Sequence, residues 1–176
     1  MNLKKAVKPP NKQLMIVFND MSLRGIQRKI VDIISFIQKK YPRFKIILCL
    51  QSSKGIFLHQ ISPNIKVISP PIHTRRLNNL WFTFWLSYIF NKYRPGYILS
   101  FMDLCSISTL IAIKPFSAIY KPKIIIGEDI LTSKHVYTET FPKIRLKLIK
   151  VFYPQADKIL VQTPIQKKDL HQIIGK

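Results

Sequence analysis

The sequence holds only eight acidic residues among its 176, and where they fall is its first chemical clue. Asp20 follows the apolar run Leu14-Met15-Ile16-Val17-Phe18, Asp103 follows Tyr97-Ile98-Leu99-Ser100, and Glu128 and Asp129 follow Ile124-Ile125-Ile126. A carboxylate at the end of such a run can accept hydrogen bonds from a ligand's hydroxyls or take a proton from one. Glu128 and Asp103 are therefore the candidate catalytic groups. His135, a few residues beyond Glu128, supplies a further candidate base or ligand contact, whereas His59, His73 and His171 have no comparable company. The segment Asn19-Asp20-Met21-Ser22-Leu23-Arg24-Gly25 leads into a helical pattern whose first free N–H groups suit a phosphate or a hydroxyl. Gly25 is accordingly a candidate substrate-binding residue, and Arg28, in the helical pattern that follows, is another.

Other chemistries lack their parts. A dinucleotide fingerprint needs three glycines after the first strand, and only Gly25 is present there. Cys49 and Cys105 are the only cysteines and fit no Cys-x-x-Cys pattern, so neither a disulfide framework nor a zinc site is expected; both read as small buried hydrophobes. No Ser-His-Asp, Cys-His or metal-ligand set can be assembled, no motif implies a cofactor, and the acidic pair of a phosphate-accepting receiver domain is missing.

These candidates need a scaffold, and the apolar patterning describes one. Leu14 to Phe18, Lys45 to Leu50, Ile65 to Ile68, Tyr97 to Ser100, Lys123 to Ile126 and Lys158 to Val161 are short apolar runs of the kind buried on both faces of a parallel sheet. Between them, Ile26, Ile30, Ile33, Ile34 and Ile37 recur at helical spacing. Further helices are expected over 77–93, 104–113, 143–152 and 164–174, with Ile56 to His59 an unassigned extra segment. Strands alternating with helices predict an α/β fold: a doubly wound, mostly parallel Rossmann-like sheet with helices on both faces. Residues 1–12 read as a basic, flexible tail and residues 13–176 as one domain. In such a sheet ligands bind at the carboxyl ends of the strands, where the acids lie.

Lys and Arg total 29, for a net charge of +21 and a pI near 10.2, which invites an anionic partner. The segment 143–152 carries Lys143, Arg145, Lys147 and Lys150 beside Ile144, Leu148, Ile149 and Phe152, and is the candidate contact with an anionic membrane surface. The aromatic segment around Trp81, Phe84, Trp85 and Tyr88, flanked by Arg75, Arg76, Lys92 and Arg94, has similar ingredients. Nucleic acid is a rival partner, but no DNA- or RNA-binding motif accompanies the charge. No apolar run reaches the roughly 20 residues of a transmembrane helix, and the N-terminus lacks the apolar stretch of a secretory signal. The expected location is the cytoplasm, with the charge pointing to a peripheral place at the inner face of the membrane.

Four segments in order resemble the GT-B glycosyltransferases with a family-4-like N-terminal domain. Leu23-Arg24-Gly25-Ile26-Gln27-Arg28-Lys29-Ile30-Val31-Asp32-Ile33 is similar to that family's glycine turn and first helix. Arg94-Pro95-Gly96-Tyr97-Ile98-Leu99-Ser100-Phe101-Met102-Asp103-Leu104 resembles its "arginine-proline-aspartate, apolar strand, serine" segment, and Ile126-Gly127-Glu128-Asp129 its strand-end Ser-Glu. The stretch from Phe152-Tyr153-Pro154-Gln155-Ala156-Asp157 to Gln162-Thr163 resembles its "Tyr-Pro-x-Ala-Asp" and following strand. The family's turn usually has a second glycine and a Glu before the Arg, where this chain has Arg24 and Gln27.

The resemblance implies an enzyme that moves a sugar from a nucleotide donor to an acceptor, often lipid-linked, usually without a bound metal. Gly25, Asp103 and Glu128 would face the cleft. Family members bind the nucleotide-sugar in a second Rossmann-like domain marked by paired glutamates, whereas Glu128 and Glu139 are the only glutamates here and the chain stops at Gly175-Lys176. The expectation is an acceptor-side half, inactive alone, that meets the nucleotide-sugar only with a C-terminal domain or partner chain. A non-catalytic partner subunit is the alternative.

Overall fold

The computed structural model describes residues 11–22, 25–71 and 78–175. Most of the expected tail lies outside the described residues, as do Arg24, His73, Arg75, Arg76 and Leu77.

Each apolar run forms a strand: β1 (Gln13–Phe18), β2 (Lys45–Leu50), β3 (Lys66–Ile68), β4 (Tyr97–Phe101), β5 (Lys123–Glu128) and β6 (Lys158–Val161). They make one sheet in the order β3-β2-β1-β4-β5-β6, and every pairing is parallel. The helices are α1 (Gly25–Lys40), α2 (Asn78–Tyr93), α3 (Asp103–Ile113), α4 (Thr132–Tyr137), α5 (Pro142–Phe152) and α6 (Pro164–Ile174). The fold is the α/β, Rossmann-like arrangement that the alternation of patterns predicts. The segment after β2 is a 3-10 turn over Ile56–Gln60. The short α4 has no counterpart among the expected elements.

Alternation along the strands builds two cores. Leu14, Ile16 and Phe18 of β1 join Leu48, Leu50 and Phe101 against Ile30 and Ile34 of α1. Met15 and Val17 face the other way, with Ile98, Ile124 and Ile126, against Phe82, Leu86 and Phe90 of α2 and residues of α3, α5 and α6. Ile16 and Val17 are fully buried, each such side chain contributing about 1.5–3 kcal/mol of transfer free energy.

Close approach requires glycine at positions 55 and 127 but not at 25. A Cβ on Gly127 would lie 2.3 Å from Cε1 of Phe101 on the neighbouring strand. Gly55, at φ 117°, would put one 1.9 Å from the backbone of Met21. That contact ties the loop after β1 to the loop after β2, reinforced by Met21 N donating to Lys54 O at 2.8 Å and Phe57 N to Met21 O at 3.1 Å.

Candidate functional site

In the strand order the chain works outward from β1 to β3, then returns to place β4 on the other side of β1. The connections leaving β1 and β4 therefore depart toward opposite faces, and the gap between them is where a doubly wound sheet takes its ligand. A cleft of about 690 Å³ opens there. Asn19 and Asp20 line it from the loop after β1, Gly25, Gln27 and Lys29 from the start of α1, and Asp129, His135 and Gln162 from the β5 and β6 side. A depression of about 500 Å³ at the opposite edge, around Gln13, Phe44 and Tyr93, is lined by no carboxylate, imidazole or thiol among the described residues.

The cleft walls are rich in acceptors. Asp20 uses Oδ1 to take a hydrogen bond from Ser22 N at 2.9 Å, and its carbonyl accepts from Gln27 Nε2 at 3.3 Å. Asp129 Oδ1 is held by Lys29 Nζ at 2.5 Å and Gln162 Nε2 at 2.7 Å. Gln27 Oε1 and Asp129 Oδ2 are buried with no hydrogen-bond partner among the described residues. Asn19 Oδ1 accepts from the buried Cys105 thiol, whose pKa is raised by burial and by the carboxylates of Asp103 and Asp20. Among the described residues, two carboxylates, one ammonium and an imidazole thus line the cleft, a balance unlike the strongly cationic chain around it. Met102 contributes from the β4–α3 turn at φ 68° and ψ 142°. That conformation is close to a glycine-only region and costs a bulky residue about 1–3 kcal/mol.

Behind this wall lies a second, buried cluster. Asp103 is the first residue of α3 and does not cap it; Met102 holds the capping position without a side-chain bond. The Asp103 side chain, 3% exposed, faces Arg145 of α5, with Oδ2 3.3 Å from Nε. Its Oδ1 stands 3.8 Å from Nε2 of His135, whose ring is 18% exposed at the cleft. Glu128 continues the alternation of Ile124 and Ile126, so its side chain enters the core shared with α3 and α5. It accepts hydrogen bonds from Tyr153 Oη and, at 3.4 Å, from Thr132 Oγ1. Burial pushes its carboxyl up to about 7 against the pull of the Tyr153 hydrogen bond, with the Asp103 carboxylate adding to the rise. The Tyr153 phenol is raised by its own burial and by the adjacent Glu128.

The site residues expected from sequence are thus separated into groups. Gly25 and His135 line the cleft; Gly25 has open space where a Cβ would sit. Asp103 and Glu128 are buried behind the cleft and are not among its lining residues. Arg28 is exposed and outside the cleft, because α1 turns residues 27, 30 and 34 to the core and leaves 28 on the solvent side. Lys29, next along the helix, is the lysine or arginine that lines the cleft among the described residues. Arg145 corrects the expected membrane face: it is 7% exposed and paired with Asp103 and, at 3.0 Å, with Glu139. Arg145 lies one helical turn before the fully buried Ile149, so it shares the inward face. Lys143, Lys147 and Lys150 remain exposed. Gln27, Lys29 and Tyr153 were missed as individual site residues. Spacing from Gly25 to Lys29 along one helical face was the available signal for Lys29.

No family model matches the sequence, and no curated protein matches it. Solved structures do. The apo form of the lipopolysaccharide outer core galactosyltransferase WaaB superposes with a TM-score of 0.67 at 12% identity, over 92% of this chain and 42% of that one. The fold is that of one GT-B half. A putative UDP-N-acetylglucosamine 2-epimerase from Listeria monocytogenes gives 0.65 at 15% identity, over 91% and 42% of the two chains. S. aureus MnaA in its UDP co-structure gives 0.65 at 14%, over 91% and 40%. The chain spans about two fifths of the length of these structures. Among the described residues, no helix is long and apolar enough to cross a membrane, and no cluster of three or more His, Cys, Asp or Glu could hold a metal ion.

Proposed function

We propose that the chain is the acceptor-side half of a nucleotide-sugar-dependent glycosyltransferase with a family-4-like N-terminal domain. The observation that carries this reading is the acceptor-rich cleft at the sheet's switch point, with His135 at its wall and the buried Asp103 behind it. Sugar hydroxyls are donors in need of acceptors, and Asp20, Asn19, Asp129 and Gln27 offer them. One hydroxyl must also lose its proton as its oxygen bonds to the donor's anomeric carbon, whose bond to the phosphate oxygen breaks and releases the nucleotide. His135 is the base at the cleft, and Asp103 stabilises the imidazolium that forms. Glu128 and Asp103 are positioning residues in this account: Glu128 ties the end of β5 to α4 through Thr132 and to the turn that follows α5 through Tyr153. A nucleotide-sugar enters only with a second, donor-binding domain or partner chain, so the 176 residues alone transfer no sugar. Lipid-linked acceptors and an anionic membrane surface belong to the same reading, supported by the charge of +21. A nucleic acid fits poorly, because the two carboxylates in the cleft repel phosphates.

The test is an amide-shift titration of the chain with oligosaccharides, UDP-N-acetylglucosamine and single-stranded DNA as separate probes. A saccharide should move the amides of Asn19, Gln27, Asp129, His135 and Gln162; saccharide-independent shifts from DNA alone would overturn the reading. In the enzyme assembled with its donor half, His135→Gln should lower kcat by about 10²–10⁴-fold with little change in Tm. Conversion of UDP-N-acetylglucosamine without any acceptor would instead assign the fold to the epimerase chemistry of two of the matched proteins.

A further inference from the structure

Helix α2 is apolar on more sides than the core needs. Phe82, Leu86, Ile89 and Phe90 are buried and account for its inward face. The outward face repeats every fourth residue: Leu80 is 60% exposed, Phe84 71% and Tyr88 59%, with Trp81 beside them at 36%. A surface helix ordinarily puts polar residues there. Ile111 of α3, also partly exposed, extends the patch, because Ser87 Oγ donates to Ala112 O at 2.7 Å and fixes the end of α3 alongside.

The stretch of sequence that carries this helix has charge of one sign. From residue 33 to residue 102 the sequence contains no Asp or Glu, while it contains Lys39, Lys40, Arg43, Lys45, Lys54, Lys66, Arg75, Arg76, Lys92 and Arg94. Arg75 and Arg76 precede α2 in sequence. At its other end Lys92 Nζ lies 5.7 Å from the ring centroids of both Tyr88 and Tyr93, and Lys66 Nζ 5.0 Å from that of Tyr93. An apolar stripe of Leu, Trp, Phe and Tyr with lysines at its C-terminal end, in a stretch of sequence without acids, is complementary to a surface that is apolar in depth and anionic at its rim. A bilayer containing anionic lipid is such a surface, and a helix of this kind lies in its plane.

We propose that the Leu80-Trp81-Phe84-Tyr88 face of α2 is a docking surface for an anionic membrane, and that it, rather than α5, seats the domain. Gln51 at the end of β2 donates through Nε2 to Asn79 Oδ1 at 2.9 Å, which places the start of α2 at the carboxyl edge of the sheet. Docking on α2 therefore brings the edge that carries the cleft close to the headgroups, where an acceptor carried on a lipid would present its sugar. Only this last step rests on the reading of the cleft as an acceptor site; the docking itself does not.

The experiment uses the whole chain and vesicles of phosphatidylcholine, with or without phosphatidylglycerol. Trp81 and Trp85 are the only tryptophans, so Trp85→Phe leaves Trp81 as a single reporter. Anionic vesicles should bind the chain in a salt-sensitive way, shift Trp81 emission to the blue and allow its quenching by brominated acyl chains. The variant L80S/F84S/Y88S should weaken vesicle binding by more than about tenfold, since three large apolar side chains lose their burial, without lowering Tm. Changing Lys143, Lys147 and Lys150 to Gln should preserve most of the binding and the quenching. Equal binding of wild type and the α2 variant, no binding to anionic vesicles at low salt, or a dimer that the α2 variant dissociates would each overturn the proposal. Failure of the wild-type chain to bind anionic vesicles, with its saccharide shifts at the cleft intact, would count against the docking surface alone.

Discussion

Replacing Glu128 by Gln tests the account of the buried cluster through stability. The carboxyl of Glu128 is 5% exposed, and burial lifts its pKa from an ordinary 4.5 to about 7. Between those values the folded protein keeps a proton that the unfolded chain has released. The folded state then binds more protons than the unfolded one, so stability falls as pH rises across that window. Below about pH 4.5 both states are protonated, and above about pH 7 both are ionised, so the contribution is flat outside the window. The full drop is about 3 kcal/mol, because a tenfold difference in proton affinity between the folded and unfolded states corresponds to about 1.4 kcal/mol. Gln has no proton to lose. Its Oε1 can accept from Tyr153 as the carboxylate does, and its Nε2 can donate to Thr132 Oγ1, the group now 3.4 Å from Glu128. Urea unfolding of both proteins from pH 4.5 to pH 8 should therefore give E128Q similar stability at the acid end and an advantage that grows toward pH 8. Asp157, whose pKa is lowered by its bonds to Lys123 and the Ile124 amide, adds the opposite slope at lower pH, but equally in both proteins. Parallel profiles across the window would refute the reasoning, because they would mean that Glu128 is hydrated and ionised in the folded state.

Arg145→Met should destabilise the protein by about 3–5 kcal/mol, since it leaves the Asp103 carboxylate buried without its cation; the double variant D103N/R145M should recover much of that loss in urea midpoint. Gly127→Ala forces a Cβ to 2.3 Å from the Phe101 ring and should cost about 1–3 kcal/mol, the range for overpacking a well-filled core. Phe101→Leu in the same chain should relieve part of it, as read by Tm.

The strands were legible because a strand buried on both faces is an unbroken apolar run whatever surrounds it, as in Ile46-Ile47-Leu48-Cys49-Leu50. Helix α1 was legible for the opposite reason, its isoleucines falling on one side only. Helix α4, six residues with one buried aliphatic side chain, offers no period to detect. Met102 carries no mark of its positive φ because the residue types that announce one, Gly or Asn, are absent from the turn. For Arg145, helical spacing from Ile149 already pointed inward. What spacing could not supply was the compensating acid, which is Asp103 on another helix. Glu128 shows the same limit. Its parity with Ile124 and Ile126 could be read from the strand, but only the packing of α5 shows that Tyr153 closes over that face.

The distribution of charge separates two kinds of ligand. Of eight acids in the sequence, Asp20 and Asp129 line the cleft and Asp103 and Glu128 stand behind it. Among the described residues the cation surplus lies elsewhere, including the acid-free stretch that carries α2. If one polyanion were the ligand of the whole chain, selection for its binding would put cations at the switch-point cleft, the position the fold makes available to ligands. The reverse is found: Lys29, the one lysine or arginine lining the cleft among the described residues, is held by Asp129 at 2.5 Å. A hydroxyl-rich ligand in the cleft and an anionic surface beneath the domain satisfy both halves of this distribution, and each is tested by a different probe.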